Sequence, residues 1–137
     1  TNLVNKDTNG FGDVFVHDRE TGKTTRVSVR TNGGQGDQNS CSPSISSDGR
    51  YVAFYSSSTN LVNKDTNGAR DIFVHDRKTG KTTRVSVRTN GKQGDDDSFH
   101  PSISSDGRYI AFYSYATNLV NGDTNGKTDV FVTELGT

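Results

Sequence analysis

Thr1-Asn2-Leu3-Val4-Asn5 heads the chain and returns unchanged as residues 59–63 and again as 117–121, a spacing of 58 residues both times. Aligning residues 1–58 with 59–116 leaves 12 differences, so 46 of 58 positions are identical. Self-similarity at such a period means a repeat architecture, in which each unit buries its apolar surface against the next. The chain divides into repeats 1–58 and 59–116 and a partial third, 117–137, within one segment, 1–137.

Each repeat carries four strand signals. Pro43-Ser44-Ile45-Ser46 reads as a short first strand, Ser47-Asp48-Gly49 as a tight turn, and residues 50–56 (RYVAFYS) as a second strand. A polar stretch, 57–70, leads to a third, 71–76 (DIFVHD), and Lys78-Thr79-Gly80-Lys81 turns the chain into a fourth, 82–88 (TTRVSVR). Short or Gly/Asn-rich connections and the lack of helical periodicity make this a meander of antiparallel strands. The second strand is apolar on both faces. The fourth alternates Val85 and Val87 with Arg84, Ser86 and Arg88, as a half-exposed outer strand does. An inner strand covered twice and an outer strand covered once describe one blade of a β-propeller, with Phe54 and Phe112 packed between blades. The expected fold is therefore all-β, built of propeller blades.

Composition fits that reading. Only 28% of residues are hydrophobic, mean hydropathy is −0.79, and there is no Trp or Met. Order must come from the clustering of apolar residues into recurring runs. Fifteen Gly against two Pro suit a turn-rich β protein. Sixteen basic residues balance sixteen acidic ones, which removes the electrostatic footprint of a nucleic-acid binder. No run of 18 apolar residues is long enough to span a membrane. The chain starts in mid-pattern without Met or a signal peptide, and reads as a piece of a longer one. Cys41 is alone, and its counterpart one repeat later is Phe99, which predicts a small buried apolar site.

PSISSDGRYIAF, followed by a hairpin of the DIFVHDRKTGKTTRVSV type, resembles the TolB-type, WD-repeat-like propeller repeat of bacterial proteins. The resemblance covers nearly the whole chain. It implies the fold and a scaffold or interaction platform rather than an activity. The long loop between second and third strands makes this repeat longer than the usual blade.

That loop carries the candidate chemistry. In the second repeat, Asn63, Asp65, Asn67, Gly68 and Asp71 stand at loop positions 1, 3, 5, 6 and 9. The first copy has Asn5, Asp7, Asn9, Gly10 and Asp13, and the third Asn121, Asp123, Asn125, Gly126 and Asp129. Alternate residues of a tight loop point into one concavity, and Gly turns the chain so that position 7 (Phe11, Ala69, Lys127) offers its carbonyl. Six to eight hard oxygens suit Ca²⁺. Positions 2, 7 and 8 vary between copies while the others do not. Val74 at position 12 excludes an EF-hand, and the loop resembles the calcium loops of integrin-type propellers. Two carboxylates per site predict weak binding, on the order of 10⁻⁴–10⁻³ M. The competing reading is a plain loop in which Asp65 and Asn67 form Asx-turns.

Other residues read as structural. His17 and His75 share a VHDR context without a Cys or Glu at ligand spacing, and His100 aligns with Ser42. Gln35-Gly36-Asp37 and Gln93-Gly94-Asp95 read as turns between blades. Tyr55, Tyr113 and Tyr115 could line a sugar site, but their strand context predicts core packing. No nucleophile-elbow, P-loop or Rossmann signature occurs.

The function expected is a non-enzymatic, calcium-binding propeller scaffold or binding platform, exported by a bacterium to its envelope or surroundings. Its partners are copies of itself, with three chains giving six blades, and a protein or glycan ligand. A carbohydrate-binding propeller lectin and an accessory domain of a larger secreted enzyme are the alternatives.

Overall fold

The computed structural model describes residues 3–136; Thr1 and Asn2 of the first repeat and Thr137 of the third lie outside them. Among the described residues there are nine strands and no helix. Strands β1 (Phe15–His17) and β2 (Thr24–Arg26) form a two-stranded sheet. Strands β3 (Ser40–Ile45), β4 (Tyr51–Ser56), β5 (Asp71–Asp76) and β6 (Lys81–Arg84) form a four-stranded one in chain order. Strands β7 (Ser98–Ile103), β8 (Tyr109–Ser114) and β9 (Asp129–Glu134) form a third sheet. All pairings are antiparallel. The chain is thus an all-β stretch of β-propeller: an outer half-blade, one whole blade and a blade of three strands.

Local chemistry sets the meander. In the β3–β4 turn, Ser46 Oγ donates to Asp48 Oδ1 at 2.6 Å, the Arg50 amide donates to the same oxygen at 3.0 Å, and Gly49 takes φ +71°. Arg50 forks onto Asp76 at 3.0 and 2.8 Å, which ties β4 to the end of β5 and holds the Asp76 carboxyl well below the usual range. Gly107, in the matching turn of the third sheet, sits where a Cβ would meet the Tyr51 ring at 2.5 Å, so the blades touch there through a missing side chain.

Two apolar clusters lie on opposite faces of the central sheet. Val52, Phe54 and Phe73 pack with Val14, Val27 and Leu61 toward the half-blade. Ala53, Ile72, Val74 and Val85 pack with Ile110, Phe112, Ala116 and Leu119 toward the third sheet. Phe54 and Phe112 are 0% and 3% exposed, as expected of rings between blades.

Three expectations are corrected. The fourth strand ends at Arg84, and its polar face is buried rather than half-exposed: Ser86 is 0% exposed and the Arg84 side chain 10%. These groups meet aspartates of the preceding loop instead of water. The first strand begins at Ser40, before the bulge between Cys41 and Ser44, and this leaves Cys41 half-buried. Tyr113 and Tyr115 are exposed rather than packed in the core, because Tyr113 points to the opposite face of β8 from Phe112 and Tyr115 lies beyond the strand. Tyr55 is half-buried against the Phe99 and His100 rings.

Candidate functional site: the asparagine–aspartate loops

The loop from residue 63 to 71 leaves the inner strands and returns at the start of β5. Its sharp bends need the left-handed region at Lys64 (φ +60°) and Gly68 (φ +67°). The third repeat has Gly122 at the first of these bends.

Asp71 is the hub. Its Oδ1 accepts from Ser86 Oγ at 2.6 Å, and its Oδ2 accepts from Asn67 Nδ2 at 3.0 Å and Arg84 Nη1 at 3.1 Å. The same Arg84 nitrogen lies 3.0 Å from Asp65 Oδ1. The first copy repeats the pattern. Asp13 accepts from Ser28 at 2.6 Å, Asn9 at 3.1 Å and Arg26 at 3.3 Å, and Arg26 also reaches Asp7 at 3.1 Å and Gln35 at 2.8 Å. These carboxylates are 1–4% exposed. Buried Arg26 Nε and Arg84 Nε have no partner among the described residues.

Of the five loop positions, the structure brings the two aspartates and the second asparagine together and turns the first asparagine away. Asn63 Oδ1 accepts from Arg30 at 3.5 Å, and Asn121 Oδ1 accepts from Arg88, both on the linkers between blades. Asn9, Asn67 and Asn125 direct Oδ1 to the amides of Phe11, Ala69 and Lys127 at 3.3, 3.2 and 2.7 Å, closing Asx-turns, and their Nδ2 toward the aspartate. Among the described residues no group of three or more His, Cys, Asp or Glu is placed to hold a metal ion. In the first two loops the guanidinium stands between the carboxylates. A calcium ion there has to displace it.

The charge is not balanced. Two carboxylates face one guanidinium, and burial, followed by the Asp71 charge, raises the Asp65 carboxyl above its ordinary range against the pull of Arg84. The third loop has no such arginine among the described residues: Asp129 Oδ2 accepts from Asn125 Nδ2 at 2.9 Å, and Asp123 makes no hydrogen bond or ion pair there.

Sequence reading missed the arginines and serines of the fourth strand. Their signal was the octapeptide Lys-Thr-Thr-Arg-Val-Ser-Val-Arg, identical at 23–30 and 81–88 although six of its eight residues are polar. It also missed the reach of the Gln-Gly-Asp segments. Asp37 accepts from the Thr59 amide at 2.8 Å and hydroxyl at 2.7 Å, and Asp95 holds Thr117 in the same way, so these turns anchor the following loop. His17 and His75 bond Thr24 and Thr82 through Nδ1 at 2.8 and 2.9 Å, a structural use. Burial pushes the His75 imidazole below its ordinary pKa.

Blades in meander order, packed face to face and laced by loop aspartates, define a segment of β-propeller. The fold is similar to that of solved TolB structures. A TolB structure from Agrobacterium tumefaciens superposes with a TM-score of 0.53 at 21% identity, over 90% of this chain and 37% of that one. TolB from Acinetobacter baumannii gives 0.49 at 20% identity, over 90% and 24%. The chain therefore spans little more than a third of the length of the first and a quarter of the second. No protein-family model and no curated protein matches it.

Proposed function

We propose that the chain is a non-enzymatic propeller module that works as a scaffold or binding platform and joins copies of itself into a ring. The observation that carries this reading is how the polar groups are used. Asp65, Asp71 and Asp95 are tied to Arg84, Ser86 and Thr117, so the chemistry-bearing residues stiffen the blades and their connections. The open apolar face at Val130 and Val132, 63% and 68% exposed, supports assembly. Three copies supply six blades, within the usual range of about 4–8. The reading assigns the module to the bacterial envelope or the surroundings of the cell.

A carbohydrate-binding propeller is the second reading, favoured by exposed Tyr113 and Tyr115 in edge-to-face contact with His100 and Phe99. A glycan array separates the two. Reproducible sugar binding abolished by Tyr115→Ala makes the module a lectin, and a blank array leaves the platform.

Calcium belongs to both readings, and the excess negative charge of each loop supports it. A ligand that binds only the folded state raises stability by RT ln(1 + [L]/Kd). Melting should therefore rise in about 5–10 mM Ca²⁺, a concentration set by the weak affinity expected of such modules. Identical melting in Ca²⁺ and in EDTA removes calcium from the account.

A further inference from the structure

We propose that β1 is a stand-in for β9 of a second copy of this chain, and that copies join when β9 of one displaces β1 of the next and pairs with its β2. The proposal rests on the assembly reading above and names the contact that closes the ring.

Residues 3–16 and 119–132 are identical at 11 of 14 positions. Asp7, Asn9, Asp13, Val14 and Val16, with which the first segment holds β2 and the central sheet, reappear as Asp123, Asn125, Asp129, Val130 and Val132. Within one chain the two sets are in opposite states. Val14 is 3% exposed and Val16 half-buried, both packed on the cluster of Phe54 and Phe73, whereas Val130 and Val132 are 63% and 68% exposed. Asp7 and Asp13 hold Arg26, while Asp123 and Asp129 face no arginine among the described residues.

Strand pairing points the same way. β1 pairs with β2 at three positions, and β9 pairs with β8 at six. The other edge of β9 is unpaired among the described residues, although the same edge of β5 takes β6. An open edge of this kind is a template for another strand. The strand that fills it in the central blade, β6, begins the segment Lys-Thr-Thr-Arg-Val-Ser-Val-Arg at 81–88, which residues 23–30 of a second copy also have. Beside the open edge lies a cleft of about 490 Å³ lined by Val85, Val87, Phe112, Leu119, Phe131 and Val132.

Repeat symmetry says what enters. In the central blade Thr82 Oγ1 donates to the Val29 carbonyl at 2.5 Å and its amide donates to Thr31 Oγ1 at 3.1 Å. Thr24 of the incoming β2 meets the Val87 carbonyl and Thr89 in the same way. Its Arg26 enters between Asp123 and Asp129, and its Ser28 reaches Asp129. On the other face, Val130 and Val132 take the places of Val14 and Val16 on the second copy's central sheet. The contacts that Asp7, Asn9, Asp13, Val14, Phe15 and Val16 give up are remade by the same residue types, Thr133 takes the place of His17 opposite Thr24, and the exchange adds coverage of Val130 and Val132 and pairing along β9. This is domain swapping in a head-to-tail ring. Every copy then supplies β2 to β9, two whole blades, and β1 is the strand left over.

The test uses two full-length variants, both in a Cys41→Ser background: one carries Thr24→Cys, the other Thr133→Cys. Thr133 is the counterpart of His17, which faces Thr24 with side chains 2.8 Å apart. Within one chain the two positions lie in sheets packed on opposite faces of the central sheet. Mixed under mild oxidation, the pair should form a mixed disulfide dimer, and Thr24→Cys with exposed Lys92→Cys should not. Val130→Asp with Val132→Asp, both at exposed positions, should abolish the cross-link and leave melting of the single chain unchanged. An assembled protein that gives no cross-link at this pair overturns the exchange and leaves assembly standing. A mass of 14.9 kDa at every concentration overturns both.

Discussion

Arg84 is the residue on which the second loop depends. Its side chain is 10% exposed and serves the carboxylates of two aspartate side chains that are 4% and 1% exposed. Removing one member of a nearly buried ionic group leaves charge uncompensated, at a cost of about 3–5 kcal/mol. Arg84→Met should lower unfolding free energy by that amount in urea titrations, and adding Asp65→Asn should recover part of it. A loss below about 1 kcal/mol would mean that solvent already screens the group. His75 gives a pH dependence of definite sign. Thr82 Oγ1 donates to the Val29 carbonyl, so it accepts from His75 Nδ1–H. Burial depresses its folded pKa below the unfolded value of about 6.5. Between the two values the unfolded chain binds more protons. Stability is therefore full above pH 6.5 and falls as the pH drops through it, until folded His75 also titrates. Melting temperature followed from about pH 7.5 to about 5.5 should decline in the wild type and decline less in His75→Gln; equal slopes would assign the decline to other groups.

At the scale of strands, the same residue type has different value on different blades. Phe54 of β4 stacks on Phe73 of β5 at 6.0 Å and is fully buried against the half-blade. Phe54→Ala should cost about 3–5 kcal/mol, the lost transfer energy plus the cavity. Val130 of β9 occupies the strand position of Ile72 in β5, yet is 63% exposed against 0%. Val130→Ala should change monomer stability by less than about 0.5 kcal/mol. Run at dilutions where the chain is monomeric, the pair of denaturation curves tests the face assignment, since comparable losses would mean that Val130 is buried within the single chain. The hairpins themselves are legible in the amino-acid sequence, because Ser-Asp-Gly and Lys-Thr-Gly-Lys name their turns and RYVAFYS is apolar on both sides. The bulge at Cys41 and Ser44 is not legible there: it is a register shift against β4, which the local sequence does not encode.

For the whole molecule, the open end faces set the expectation. An arc of blades leaves apolar flanks in water, and closing it removes them. Light scattering on the purified chain should give a multiple of 14.9 kDa, with three copies favoured; a well-behaved monomer would rule out a ring built between chains. What the sequence determined by itself was periodic. The 58-residue spacing, the four strand signals per repeat and the apolar pattern of the second strand follow from local preferences and side-chain alternation, so blades and their order could be read directly. The role of Arg26 and Arg84 was decided only by tertiary structure. An arginine alternating with valines on an outer strand looks solvated, and it is buried here because a loop folded 13 to 19 residues away delivers Asp65 and Asp71 to it. Charge pairing across such a separation depends on where the chain returns in space. For the same reason, three loops identical at every key position differ in their contacts: two have a fourth strand beside them, and the third, which has none among the described residues, leaves Asp123 and Asp129 half-buried without an arginine.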